Sequence, residues 1–246
     1  MSNGDDKNIT TNGKVNLPAK DLPVPEHNKD WRHSFHWRVM RILAEFIAGF
    51  QFLANFNKTV TFFGSARFKE DNPWYGEARK LGKILGEAGF TVITGGGPGI
   101  MEAGNRGATE GNGGSVGLNI QLPTEQRINP YVKSYSGFHY FFVRKVMLSF
   151  SAQAYVFFPG GYGTLDELLE LLNLIQTHKI YEKIPLVLVG KDFWEHVDSW
   201  FKSKLLKEYE TIDEEDTKLY TIVDTAEEAF EIIKKSKPRE EFKELQ

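Results

Sequence analysis

Pro159-Gly160-Gly161-Tyr162-Gly163-Thr164-Leu165-Asp166-Glu167 follows the apolar run Ala154-Tyr155-Val156-Phe157-Phe158 and precedes the amphipathic run Leu168-Leu169-Glu170-Leu171-Leu172-Asn173-Leu174-Ile175. The order reads as strand, glycine turn, helix. Such a turn leaves backbone N–H groups unpaired at a helix N-terminus, where the helix dipole favours an anion. Glycines let a phosphate approach the main chain with no Cβ in the way. Thr164 can cap the helix or bond a phosphate oxygen, and Glu167 lies one turn in.

Outward from this stretch the chain alternates strand and helix. A strand at 59–64 ends in Gly64-Ser65-Ala66-Arg67, and a helix follows at about 74–88. The strand at 90–94 runs into a second glycine turn, Gly95-Gly96-Gly97-Pro98-Gly99-Ile100-Met101-Glu102, with a helix starting near Pro98. Further strands are expected at 115–121, 135–138, 185–189 and 219–223, and helices at 140–151, 193–207 and 226–235. Strands separated by helices imply an α/β fold: a doubly wound, mostly parallel sheet with helices on both faces and ligands at the carboxyl ends of its strands. Phe35, Val39, Ile42, Phe46, Phe50 and Leu53 recur at helical spacing, so 31–56 reads as one long helix. The polar, proline-containing residues 1–30 read as a disordered or loosely docked tail and 237–246 as a charged tail, leaving 31–236 as one domain.

Composition narrows the function. The chain has 246 residues, 41% of them hydrophobic, a formal net charge of −3 and no cysteine. That supports a sizeable core, gives no bulk attraction to nucleic acid, and rules out disulfides and thiolate metal sites. No apolar run reaches transmembrane length and the N-terminus lacks the apolar core of a signal peptide, so a soluble cytoplasmic protein is expected. His33 and His36 stand one helical step apart, but no third ligand is evident and no metal is expected.

Familiar nucleotide motifs fail residue by residue. A dinucleotide fingerprint would need Gly or Ala where Glu102 stands, and the next strand offers Asn119 and Gln121 instead of an acid for the ribose. No G-K-[ST] sequence occurs, which removes a Walker A loop. The two turns therefore point to one phosphate-bearing ligand and away from NAD or ATP. Glu167 has two readings. A carboxylate beside a phosphate turn can act as a general acid or base, but Thr164-x-x-Glu167 also has the spacing of a capping box.

Gly95-Gly96-Gly97-Pro98-Gly99-Ile100-Met101-Glu102-Ala103, Arg144-Lys145 and the opening stretch together resemble the Lonely Guy (LOG) family, often labelled "lysine decarboxylase". The hallmark P-G-G-x-G-T-x-x-E is met without mismatch, and the resemblance covers about residues 57–190. It implies a Rossmann-like fold, a homodimer, no cofactor, and hydrolysis of the N-glycosidic bond of nucleoside 5′-monophosphates, with free cytokinin bases as products in plants and some microbes. It assigns catalysis to Glu167 and Arg144. It assigns substrate binding to Gly64, Ser65, Gly96, Gly97, Gly99, Lys145, Pro159, Gly160, Gly161, Gly163 and Thr164. Lys145 lies about a quarter-turn from Arg144, so the two are not expected to meet the same atom. Gly64-Ser65-Ala66-Arg67 departs from the plant-type Gly-Ser-Ser pattern, which leaves open whether the base is adenine, an N6-modified adenine or another purine or pyrimidine.

Two other classes are compatible with the residues. One is a nucleotide or cofactor carrier of the same fold that binds without hydrolysing. The other, a single-strand nucleic-acid binder, needs a basic groove that the acidic balance argues against.

Overall fold

The computed structural model describes residues 34–121, 128–180 and 184–238. The tail at 1–30, His33 and the end of the charged tail lie outside them. By its contacts the chain divides at Val39. The described part before that point is the opening of α1, where the Trp37 amide donates to Ser34 Oγ at 3.3 Å.

The elements run α1 (Phe35–Leu53), β1 (Thr59–Phe63), α2 (Pro73–Glu87), β2 (Thr91–Thr94), α3 (Ile100–Glu110), β3 (Gly114–Ile120), β4 (Ser134–Phe138) and α4 (Phe141–Ser149). They continue with β5 (Ala154–Phe157), α5 (Tyr162–Gln176), β6 (Leu186–Val189), α6 (Lys191–Trp200), β7 (Thr221–Val223) and α7 (Ala226–Ile233). Local chemistry sets several boundaries. Asn72 caps α2 by accepting the Trp74 amide at 2.9 Å, with Pro73 at the first position. Gly89, at φ +76°, ends that helix and lets the Phe90 amide return to Leu85 O at 2.9 Å.

All seven strands are parallel, in the order β4-β3-β2-β1-β5-β6-β7. This is a Rossmann-like doubly wound α/β sheet, parallel throughout where the sequence implied mostly so. β1, β5 and β6 are buried along their whole length, which explains their unbroken apolar runs. One face carries Phe63, Tyr155, Phe157, Leu186 and Leu188 against α4, α5 and α6, together with Ile42, Phe46, Phe50 and Leu53 of α1. The other carries Val60, Phe62, Val92, Val156 and Val187 against α2, α3 and α7. Trp194 ties α6 to the sheet by donating Nε1–H to Phe157 O at 3.1 Å.

The expected helix at 193–207 is instead α6 followed by a π-helical segment, Phe201–Glu208, in which the Tyr209 amide reaches back to Lys204 O at 2.9 Å. A 3₁₀ segment, Glu214–Lys218, precedes β7. On the opposite face, α2 and α3 meet almost backbone to backbone. A methyl group on Gly82, Gly104 or Gly107 would collide, respectively, with the Gly104 carbonyl, the Phe62 ring and the Arg79 carbonyl. Strand order reverses between β1 and β5, which pair from Val60↔Ala154 to Phe63↔Phe157. In such sheets the crevice at the carboxyl ends of the reversing strands is where ligands bind.

Candidate active site

A cleft of about 840 Å³ opens at that reversal point. Its walls come from Phe62 to Arg67 at the end of β1, from Gly160 to Glu167 after β5, and from Gly95, Met101, Phe141, Arg144, Leu148 and Phe193. Among the described residues, no hydrogen bond within the chain engages the amides of Gly160, Gly161, Tyr162 or Gly163. α5 starts at Tyr162 with Gly161 as its N-cap and no side-chain cap. These donors therefore face the cleft with the positive end of a fifteen-residue helix behind them. A methyl group added to Gly161 or Gly163 would meet nothing within 4 Å, so the protein's own packing does not require glycine there. Gly160 differs, because its missing Cβ leaves space for Thr164 Oγ1.

The start of α5 removes the capping-box reading of Glu167. Thr164 is already inside the helix and caps nothing. The Glu167 carboxyl, 6% exposed, leaves Oε2 with no hydrogen-bond partner. Burial pushes its pKa up to about 8; Glu170 pushes the same way, Lys145 and Arg144 oppose, and Asp166 adds a smaller upward push. A capping box would have satisfied that oxygen, so this carboxyl is held in the cleft wall unspent.

Arg144 projects from α4 onto the same wall. Its Nε–H donates to Leu118 O at 2.7 Å, and its guanidinium carbon lies 5.8 Å from the centre of the Phe141 ring. A methyl group on Gly95 would collide with Arg144 Nη2, so the glycine makes the recess in which the guanidinium rests. Burial lowers the guanidinium pKa and the Glu167 charge opposes that, but an arginine stays protonated under such pressure. Arg67 stands exposed on the cleft wall, and no ion pair or hydrogen bond engages its guanidinium among the described residues.

The remaining sequence-singled residues separate into two groups. Gly64, Ser65, Gly160, Gly161, Gly163 and Thr164 line the cleft with Arg144 and Glu167. Gly96, Gly97, Gly99, Lys145 and Pro159 lie outside its lining. Pro159 O accepts the Ser65 amide at 3.1 Å, stitching the β5 turn to the β1 turn. Lys145 turns to Asp166 at 2.7 Å and Glu170 at 3.5 Å. Glu102 accepts from Tyr75 Oη at 3.0 Å, and the His139 amide donates to the Glu45 carboxylate at 3.2 Å.

The turn after β2 is held from behind by a buried polar network that sequence reasoning did not find. Thr94 Oγ1 accepts the Gly96 amide at 2.9 Å and donates to Asn105 Oδ1 at 2.6 Å. The Asn129 amide donates to Gly96 O at 2.9 Å, and its Nδ2 donates to Gly97 O and Asn105 Oδ1, each at 3.0 Å. Ser65 O takes the first amide of α3, from Ile100, at 3.0 Å. An asparagine inside a helix was the available signal, since it is a poor helix former that Asn105 repays only through partners. Among the described residues, no three His, Cys, Asp or Glu side chains are grouped to hold a metal, and no helix is long and apolar enough to cross a membrane.

Cytokinin riboside 5′-monophosphate phosphoribohydrolase LOG of Oryza sativa subsp. japonica is 32% identical over 144 residues, covering 56% of this chain and 57% of that protein. Pyrimidine/purine nucleotide 5′-monophosphate nucleosidase of Escherichia coli K12 is 30% identical over 173 residues, covering 65% of this chain and 37% of that protein. The matches thus span about half or less of the length of these curated relatives. The solved molybdenum cofactor carrier protein of Chlamydomonas reinhardtii shares the fold, with a TM-score of 0.55 at 23% identity over 72% of this chain and 95% of that one. A family model described as "possible lysine decarboxylase" matches residues 101–233, more than half of the sequence, and the chain belongs to that family, the LOG family.

Proposed function

We propose that this protein hydrolyses the N-glycosidic bond of a nucleoside 5′-monophosphate, giving the free base and ribose 5-phosphate. The observation that carries the reading is Glu167: a buried carboxyl with an unsatisfied oxygen, one helical turn from four unengaged amides. In this reading the 5′-phosphate sits on the amides of Gly160 to Gly163, with Arg67 as counter-charge at the cleft edge. Cleavage of the C1′–N bond builds positive charge on the ribose and negative charge on the departing base. Ionised Glu167 opposes the first and takes a proton from the attacking water, whose oxygen bonds to C1′; Arg144 donates to the second. The proton that Glu167 takes passes through solvent to the departing base, so that one water is consumed and the carboxylate is restored. Activity of this kind rises with pH as Glu167 ionises toward about 8.

Residues 31–236 act as one nucleotide-binding domain in this proposal, and the protein works in the cytoplasm as a homodimer. Met40, Leu43 and Ile47 expose one apolar stripe of α1, with more than half of each residue accessible, which suits a second copy. Incubation with AMP, GMP, CMP, UMP and N6-isopentenyl-AMP, followed by chromatography of free base and ribose 5-phosphate, tests the reaction and ranks the bases. Equimolar release of both products from at least one nucleotide is expected. Binding with no release from any of them would favour the second reading, a carrier. That reading is supported by the neutral form of Glu167 below pH about 8.

A further inference from the structure

One turn of α5 carries Asp166, Glu167 and Glu170, a concentration of negative charge that α5 does not balance itself. The balance comes from α4. Lys145 Nζ lies 2.7 Å from Asp166 and 3.5 Å from Glu170, and Ser149 Oγ donates to Glu170 at 3.1 Å. Glu167 thus sits between two acids gathered by a single ammonium group. The charged groups acting on it are Asp166 and Glu170 from its own helix and Arg144 and Lys145 from α4. Of the two cations, only Arg144 lines the cleft. Adjacent positions on a helix diverge by about 100°, so α4 can send one cation to the ligand and the other behind the carboxyl.

We infer that Lys145 is a positioning residue for Glu167: by pairing with Asp166 and Glu170 it fixes the α5 turn and offsets its charge, and it does not bind the nucleotide. The kinetic part of the test rests on the hydrolase reading proposed above; the titration part does not. Lys145→Met leaves two uncompensated acids flanking Glu167, which favours the neutral carboxyl. Glu170→Gln removes one of them and favours the ionised form.

The test uses full-length protein labelled with ¹³C at the glutamate carboxyls. The Glu167 signal is identified by its loss in Glu167→Gln, and its midpoint is followed by NMR. The wild-type midpoint is expected near 8. Lys145→Met should raise it by about one pH unit, Glu170→Gln should lower it, and Lys145→Arg should restore it. In turnover of a 5′-monophosphate, the acid limb of the pH profile should move with these midpoints while KM changes less than about threefold. A Glu167 midpoint unmoved in Lys145→Met, or a tenfold rise in KM with an unmoved acid limb, would overturn the inference and make Lys145 a ligand contact. Should Lys145→Met not fold, the opposite displacement in Glu170→Gln decides the point. If the wild type releases no base, the hydrolase reading falls while the carboxyl titration still decides the role of Lys145.

Discussion

The two glycine-rich turns look alike as sequence and differ in what the glycines are for. After β2, Gly96 and Gly99 hold φ near +72°, and a methyl group on Gly99 would strike the Ser65 carbonyl and the Ala66 backbone. That turn is a piece of scaffold, with the Gly96 amide and the Gly96 and Gly97 carbonyls engaged by Thr94 and Asn129. After β5, Gly161 and Gly163 have open space where a side chain would go, and the amides of Gly160 to Gly163 have no partner among the described residues. Glycine in the first turn answers a demand of the fold. In the second, Gly161 and Gly163 answer no demand of the chain's own packing, which suits a ligand site. The first turn still serves the cleft, because Gly95 lines it and seats Arg144, and the α3 entry packs on the Ser65 loop.

The largest effect should come from the carboxyl that the second turn presents. Glu167→Gln is expected to fold, to bind nucleotide and to lose at least about a thousandfold in kcat, roughly 4 kcal/mol of barrier. Near-normal base release would remove Glu167 from the chemistry. Next comes Gly99→Ala, expected to cost about 3–5 kcal/mol of stability from backbone strain and collision, read as a fall in the urea midpoint. Gly163→Ala should do the reverse. It should leave the fold intact or slightly steadier, as alanine is the better helix former, while weakening nucleotide affinity about 10–100-fold by calorimetry. If Gly99→Ala cost only affinity, or Gly163→Ala only stability, the contrast between the turns would collapse.

The smallest effect concerns pH. The Glu167 pKa in the folded protein, about 8, stands above its ordinary value of 4.5, so the folded protein keeps a proton that the unfolded chain has lost. Its contribution to stability is therefore present below the ordinary value and drains away as pH rises through about 8. Glu167→Gln has no such proton to lose. Its stability relative to wild type should grow between pH 5 and pH 6.5 by on the order of 2 kcal/mol, as thermal melts at the two pH values would register. A difference that stays flat across this range would mean the carboxyl is ionised throughout.

Much of the fold was legible because its signals are local. Apolar runs bounded by glycine or by Asn72-Pro73 mark β1, β5 and α2, and the alternation of elements implies the parallel sheet. The widening of α6 into the π-helical segment was not legible, since eight residues carry no periodicity that separates it from an α-helix. In the site, Arg144 and Glu167 stood out through motifs. Gly95 stood in a quoted motif too, but its role of seating Arg144 was not legible, because Arg144 comes from a different element. The Asn105–Asn129 contact joins residues 24 apart and has no sequence pattern of its own. The capping-box reading of Thr164 and Glu167 rested on spacing alone and turned on where α5 begins. Placing that start at Tyr162, two residues before Thr164, left the carboxyl free.

The glycine contact between α2 and α3 bears on how the cleft can move. Helices that touch main chain to main chain have no side-chain layer to shear, so Gly82, Gly104 and Gly107 lock the pair into one body. Tightening of the crevice around a guest is then expected from the opposite bank, where Phe141, Tyr162 and Phe193 border it. A relaxation-dispersion map should find its slow exchange in α4 and the head of α5, with α2 and α3 silent.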